Sequence, residues 1–242
     1  MIQIGFKTDT GKGRSVNEDA FFVMPKQNIY IIADGVGGQN AGDIASRTSV
    51  KIIAEYISKN PISKDFRTDE IKDYFAKCIN LVNNEIFSLA KEKETQKGMA
   101  TTLVILYVVG NKAHFINVGD SRAYLIRNME IHQITEDHTV VNQLIKVGKI
   151  TKKDAETHPM SNVITKAVGA DCSIAPDYYS IDVKRKDIIL LCSDGLYGEV
   201  KESEIMEICL NSPSMHQACN RLVQRANEYE GKDNITVICV RI

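Results

Sequence analysis

The chain has 242 residues, with 30 lysines and arginines against 31 aspartates and glutamates, giving a formal charge of −1 with histidines neutral. That balance excludes a polycation that binds nucleic acid or anionic lipid without specificity. An apolar share of 43% with 25% charged residues excludes a disordered chain and suits a water-soluble fold built around a core.

Ile2 to Thr8, Ala20 to Met24 and Asn28 to Ala33 read as short strands, the last running into the turn sequence DGVGG. Ala41 to Lys59 and Asp69 to Lys93 carry apolar residues at three- and four-residue spacing: Ile44, Ala45, Thr48 and Ile52, then Ile71, Phe75, Cys78, Ile79, Val82 and Ile86. This spacing predicts two amphipathic helices, and Pro61 between them predicts a helical hairpin. From Ala100 to Ile134 the runs TTLVILYVV, KAHFINV, RAYLIR and EIHQI follow one another through GN, GDS and NM. Links this short leave no room for crossover helices, so an antiparallel meander is expected.

Asp137 to Pro159 is polar and helical with few apolar anchors, as in a mobile excursion. Strands are expected at Tyr178 to Val183 and Asp187 to Cys192, the latter ending at SDG, helices at Lys201 to Leu210 and Pro213 to Tyr229, and a last strand at Ile235 to Arg241. No repeat, low-complexity tract or Pro/Gly/Ser linker divides the sequence, so one domain over residues 1–242 is the simplest account. The six cysteines (Cys78, Cys172, Cys192, Cys209, Cys219 and Cys239) are never closer than ten residues, which excludes a CxxC pair for zinc or redox chemistry. Buried, reduced thiols are expected. The longest apolar run, Leu103 to Val109, is too short to span a bilayer and the N-terminus lacks a signal-peptide core, so a reducing cytoplasm is the expected location.

The informative feature is where acids fall relative to the strands. Asp34 follows IYIIA, Asp120 follows FINVG, Asp194 follows IILLCS, and Asp233 precedes NITVICV. An unpaired carboxylate at the edge of a buried strand is costly. Any one of them could be an ordinary turn residue, but four are harder to explain that way. If they converge, their repulsion calls for a cation, and an oxygen-only donor set selects magnesium or manganese over zinc or copper. Arg14, Glu18 and Asp19 lie together in GKGRSVNEDA. Taken alone this is a solvated charged run; alternatively, the guanidinium offers a fork for phosphate oxygens and the acids can hold a metal.

The strings TDTGKGRSVNEDA, IIADGVGG, GMATTL, NVGDSRAYL, TEDH, NVITKAVG, LLCSDGL and DNITV, in this order from Thr8 to Val240, resemble the metal-dependent serine/threonine protein phosphatases of type 2C, the PPM family, in their compact bacterial form. The resemblance implies an α+β fold: a four-layer α/β/β/α sandwich, two antiparallel sheets flanked by helices on both outer faces. It implies that Asp34 bridges two manganese or magnesium ions and that the Gly35 carbonyl binds one of them. Asp194 and Asp233 would complete one ion, Glu18 or Asp19 would serve the other, and Asp120 with Asp194 would help to hold a third. Arg14 would grip the substrate phosphate, and residues 137–165 would form a flap beside the site. Phosphate monoesters hydrolyse very slowly unaided, and a pair of divalent ions can lower the pKa of a water, align it and offset phosphoryl charge, with no protein nucleophile and no covalent intermediate.

Three positions depart from the family pattern: Ala100 stands where glycine is common, Lys166 where arginine is frequent, and Val36 where many eukaryotic members have a histidine able to act as general acid. His138 in TEDH is then a candidate acid, against the alternative of a hydrogen-bonded structural histidine. A dinucleotide-binding turn at DGVGG is disfavoured, because Asn40 stands in the place of the third glycine, Glu55 lies within a helix, and no parallel sheet is expected. The C-x5-R match at Cys219 and Arg225 lacks the glycines of a phosphate nest and continues a helix. A catalytically silent phosphoprotein-binding module of the same fold is the alternative of a different class, but it should have lost metal-site acids that are all present here. Expected partners are phosphorylated proteins, substrates of a serine/threonine kinase of the same cell, met by a monomer with no nucleic acid or membrane ligand.

Overall fold

The computed structural model describes residues 2–37, 41–92 and 96–242. Gly38 and Asn40 of the glycine-rich turn, and Lys93 at the expected end of the second helix, lie outside the described residues. The first half forms β1 (Gln3–Asp9), β2 (Asp19–Met24), β3 (Ile29–Val36), α1 (Ala41–Lys59), α2 (Thr68–Glu92), β4 (Ala100–Thr101), β5 (Leu103–Val109) and β6 (Lys112–Val118). The second half forms β7 (Arg122–Arg127), β8 (Glu130–Gln133), α3 (Val140–Lys146), α4 (Lys152–Glu156), β9 (Asp177–Asp182), β10 (Ile188–Cys192), α5 (Asp194–Tyr197), α6 (Glu202–Leu210), α7 (Met215–Tyr229) and β11 (Ile235–Arg241).

Strands β1-β11-β10-β7-β8 make one sheet and β2-β3-β5-β6-β9, with β4 beside β3, make the other. Every strand pairing is antiparallel. Both faces of the central strands are covered, which explains their unbroken apolar runs. In β3, Tyr30 and Ile32 point into the core between the sheets with Leu106, Phe115, Ile189 and Val240. Ile29, Ile31 and Ala33 point the other way, against Ile53 of α1 and Phe75 and Ile79 of α2. On the far side, Leu190, Val237 and Cys239 of the first sheet meet Ile205 of α6 and Leu222 of α7. These alternations build the four layers α/β/β/α.

The expected four-strand meander is corrected. β5 and β6 form a hairpin in one sheet and β7 and β8 a hairpin in the other, while β6 turns its free edge to β9 and β7 to β10. The chain changes sheets at Gly119, whose φ of 98° turns it out of β6 and sets Asp120 at the junction. The buried stripe of α1 is also rotated from the expected one. Ala41, Ala45, Ser49, Ile53 and Ile57 face inward and Ile44 is exposed, because small side chains let α1 approach β3 closely. Five cysteines are buried as expected, but Cys172 is exposed.

His114 of β6 lies in the outer core at 1% exposure. Its Nδ1 shares a hydrogen bond with Tyr178 Oη, its ring stacks on Tyr107, and its Nε2 is buried without a partner. Burial, helped by Lys112, pulls its pKa below the usual 6.5. The folded state therefore favours the neutral ring, so its contribution to stability is intact above the unfolded pKa and erodes as pH falls below it. Urea midpoints taken between pH 5 and 7.5 should show His114→Phe losing less stability on acidification than the parent, by up to about 1.4 kcal/mol per pH unit. Parallel curves for the two proteins would contradict this assignment.

Candidate active site

β2 and β3 set two acids directly opposite each other, since Asp19 pairs with Asp34 in the antiparallel register. Like charges so placed oppose strand pairing. The Asp34 backbone is fixed nonetheless: its N–H donates to Thr102 Oγ1 at 3.0 Å, and its carbonyl accepts from the Thr102 N–H at 2.8 Å and from Thr101 Oγ1 at 2.9 Å. Thr102 Oγ1 in turn shares a 2.7 Å hydrogen bond with Ser121 Oγ, next to Asp120. From the other sheet, Ser193 at the end of β10 donates to Asp19 Oδ2 at 2.8 Å and accepts from the Thr236 N–H of β11 at 3.0 Å. That bond ties the two sheets together beside the paired acids.

The electrostatics show which acids share this space. Burial pushes the Asp34 carboxyl well above its ordinary range, with Asp19, Asp194, Asp120 and Asp233 each adding repulsion. Burial likewise raises Asp19 to about 7, against hydrogen bonds from Thr236 and Ser193, and Asp120 to about 7 with Asp194 adding to it. Asp194 rises to about 6 through burial and Asp233, moderated by a hydrogen bond with the Asp34 side chain. Burial also raises Glu18, with Arg14 pulling it back. Four strand-edge acids and Asp19 thus act on one another as a single cluster, although their sequence positions run from 19 to 233.

Among the described residues no three acidic, imidazole or thiol groups are drawn into a ready-made ion cage. The donor set nevertheless fits hard divalent cations. It is made of oxygen atoms only, and Asp19 Oδ1 is buried without a hydrogen-bond partner. Gly35 and Gly42 face each other so closely that a Cβ on Gly42 would lie 2.8 Å from the Gly35 carbonyl oxygen and 2.9 Å from Glu18 Oε1. Both of those oxygens border one small space that only a pair of glycines leaves open.

Arg14 stands at the rim, its side chain 51% exposed, and donates through Nη2 to Asp233 Oδ2 at 2.7 Å. Of the residues singled out for the site, Asp19, Asp120, Asp194 and Asp233 each act electrostatically on Asp34, Arg14 joins at Asp233, and Glu18 with Gly35 borders the space beside Gly42. Sequence reasoning missed the supports Ser193, Thr102 and Ser121, and the short helix α5 that opens on Asp194. It also left Arg122 without a role. That guanidinium forms a bidentate pair with Asp137 at the root of the 137–165 segment and lies 3.6 Å over the Tyr197 ring, whose hydroxyl donates to the Asp120 carbonyl. Its position directly after GDS was the available signal.

His138 is committed on both ring nitrogens. The Gly119 N–H donates to Nδ1 at 3.0 Å, which places the proton on Nε2, 3.2 Å from Asp177 Oδ2. Burial lowers its pKa despite that carboxylate, which also accepts from Lys166 at 2.8 Å. We expect His138→Ala to cost about 1–3 kcal/mol of stability while the alkaline limb of the pH–rate profile, on which a general acid gives up its proton, keeps its position. Loss of that limb would make His138 the acid.

Residues 11–237 match the protein family described as Protein phosphatase 2C. The chain is 37% identical over 238 residues to the serine/threonine phosphatase stp of Listeria innocua, covering 97% of this chain and 94% of that protein. The fold is similar to that of the serine/threonine phosphatase Stp1 from Staphylococcus aureus, with a TM-score of 0.93 and 34% identity over 100% of this chain and 95% of that one. It is also similar to the catalytic domain of the serine/threonine protein phosphatase PstP in complex with two manganese ions, with a TM-score of 0.86 and 29% identity over 99% and 97% of the two chains.

Proposed function

The chain belongs to the protein phosphatase 2C family and is, accordingly, a metal-dependent serine/threonine protein phosphatase; we propose that the cluster of acids around Asp34 is its catalytic centre. The observation that carries this reading is the convergence of Asp19, Asp34, Asp120, Asp194 and Asp233 from both sheets onto one another. In this reading Asp34 would serve both of two manganese or magnesium ions with the Gly35 carbonyl contributing to one of them, Asp194 and Asp233 would complete one site, Glu18 or Asp19 would serve the other, and Asp120 with Asp194 would help to hold a third. Bound ions would supply an activated water and positive charge facing the phosphoryl group.

The protein's own residues do the rest. Arg14, half exposed with donors to spare beyond Asp233, binds and orients the phosphate through its planar fork. Ser193 holds the Asp19 carboxylate, and Thr101 and Thr102 fix the backbone that aims Asp34. The flap, residues 137–165, offers substrate the exposed apolar side chains of Val147, Met160 and Val163. Its root is tied to the sheets through the Arg122–Asp137 pair and the His138 N–H, which donates to the Gly119 carbonyl. The substrates are phosphoproteins, which a serine/threonine kinase of the same cell would supply. We take residues 1–242 as one catalytic unit acting as a monomer in the cytoplasm; no helix among the described residues is long and apolar enough to cross a membrane.

Purified protein should release phosphate from phosphoserine and phosphothreonine peptides when Mn2+ is added and stop when it is chelated. Turnover that persists in excess chelator would overturn the assignment. A silent binding module is not favoured by any feature of the site, which keeps all of its acids.

A further inference from the structure

We propose that Asn234 is a positioning residue that seats Arg14 for the substrate phosphate, an inference that rests on the reading of Arg14 given above. Asn234 lies between Asp233 and β11, at 5% exposure. A side-chain amide has two N–H donors and one carbonyl acceptor. Asn234 directs all of these at one stretch of backbone: Nδ2 donates to the Thr10 carbonyl at 2.8 Å and to the Val16 carbonyl at 2.9 Å, and Oδ1 accepts from the Glu18 N–H at 2.8 Å. The three contacted residues bracket Arg14 in sequence. One amide therefore closes residues 10–16 into a loop and fixes the chain on both sides of the guanidinium.

The same turn also supplies the partner of the side chain it positions. Arg14 pairs with Asp233, the residue before Asn234, so the loop and its target are set by adjacent residues. The rest of the loop lies along this surface as well: the Lys12 and Gly13 N–H groups donate to the Gly231 carbonyl at 2.8 and 2.9 Å. Gly11, at φ 76°, approaches so closely that a Cβ there would lie 2.1 Å from the Asp233 carbonyl oxygen. A loop so seated fixes the backbone from which Arg14 reaches toward Asp233. Aspartate at position 234 would keep the shape and the acceptor for Glu18 but turn the donating end into a second acceptor facing two carbonyls.

The test is a double-mutant cycle on the manganese-loaded protein with a phosphoserine peptide. We expect Asn234→Asp to lower kcat/KM at least about tenfold when Arg14 is present, because displacing a positioned group by an ångström is costly. In an Arg14→Ala background the same change should cost less than about twofold, since the interaction it disrupts is gone. Inhibition by inorganic phosphate should weaken in parallel with KM, whereas Mn2+ affinity should hold within about threefold, Glu18 keeping its acceptor. Equal losses in both backgrounds would overturn the proposal and assign Asn234 to general stability. An Arg14→Ala protein as active as the parent would overturn it too. If Asn234→Asp does not fold, as judged by its circular dichroism, the cycle is run with Asn234→Ser under the same criteria. Absence of hydrolysis by the parent itself is a different outcome, which would refute the phosphatase reading first and this proposal with it.

Discussion

Asp34→Asn should reduce phosphoserine peptide hydrolysis at least about a thousandfold, a loss of ~4 kcal/mol of transition-state stabilisation. The substitution keeps the shape of the side chain and removes its charge. The backbone of residue 34 is held by Thr101 and Thr102, so the fold around it should survive. Asp34 is also the acid on which the others converge, its carboxyl pushed up by burial and then by four neighbouring aspartates. Removing that charge should therefore stabilise the metal-free protein by about 0.5–2 kcal/mol, the usual exchange of function for stability at a strained site. Asp194→Asn should behave in the same way, because Asp194 lies beside both Asp34 and Asp233. Rates near the parent value in a folded Asp34→Asn protein would remove Asp34 from the catalytic centre.

Metal addition should stabilise the protein strongly. The gathered acids repel one another, and a divalent cation relieves that repulsion only in the folded state, where they lie together. At a concentration a hundred times the dissociation constant, each independent site contributes about 2.7 kcal/mol. Two sites together would raise the melting temperature of a chain of this size by roughly 10–20 °C. The gain should weaken on acidification, because protons compete for the same carboxylates, of which Asp19 and Asp120 hold theirs up to about 7 and Asp194 to about 6. A melting temperature indifferent to Mn2+ and Mg2+ would contradict the reading of these acids as a metal centre.

The strands were legible because they are buried on both faces and leave unbroken apolar runs such as IYIIA and IILLC. The acids were legible for a related reason, since a carboxylate next to such a run is expensive unless something compensates it. The change of sheet at Gly119 was not legible: strand, short link and strand read the same whether the second strand folds back on the first or crosses to another layer. The inward face of α1 was hidden because Ser46 and Ser49, small and polar, occupy it, Ser46 donating to the Glu18 carbonyl. The supports at Ser193 and Asn234 were hidden because Asp19, which Ser193 holds, and the partners of Asn234 lie more than 170 residues away in sequence, and those of Asn234 are backbone atoms that leave no pattern of residue types. Charge shows the same layering. Six of the 31 acids belong to the proposed centre, so the near-neutral total conceals an acidic cluster in a mildly basic body, which should repel phosphate until cations neutralise it.

Counting bound Mn2+ by isothermal titration, for the parent protein and for folded Asp34→Asn and Asp194→Asn, tests the central claim most directly, because it reads the site without relying on turnover. At least two ions per parent chain, with one or more lost in each variant, is the predicted result. Equal stoichiometry and affinity in all three proteins would show that the metal is held elsewhere.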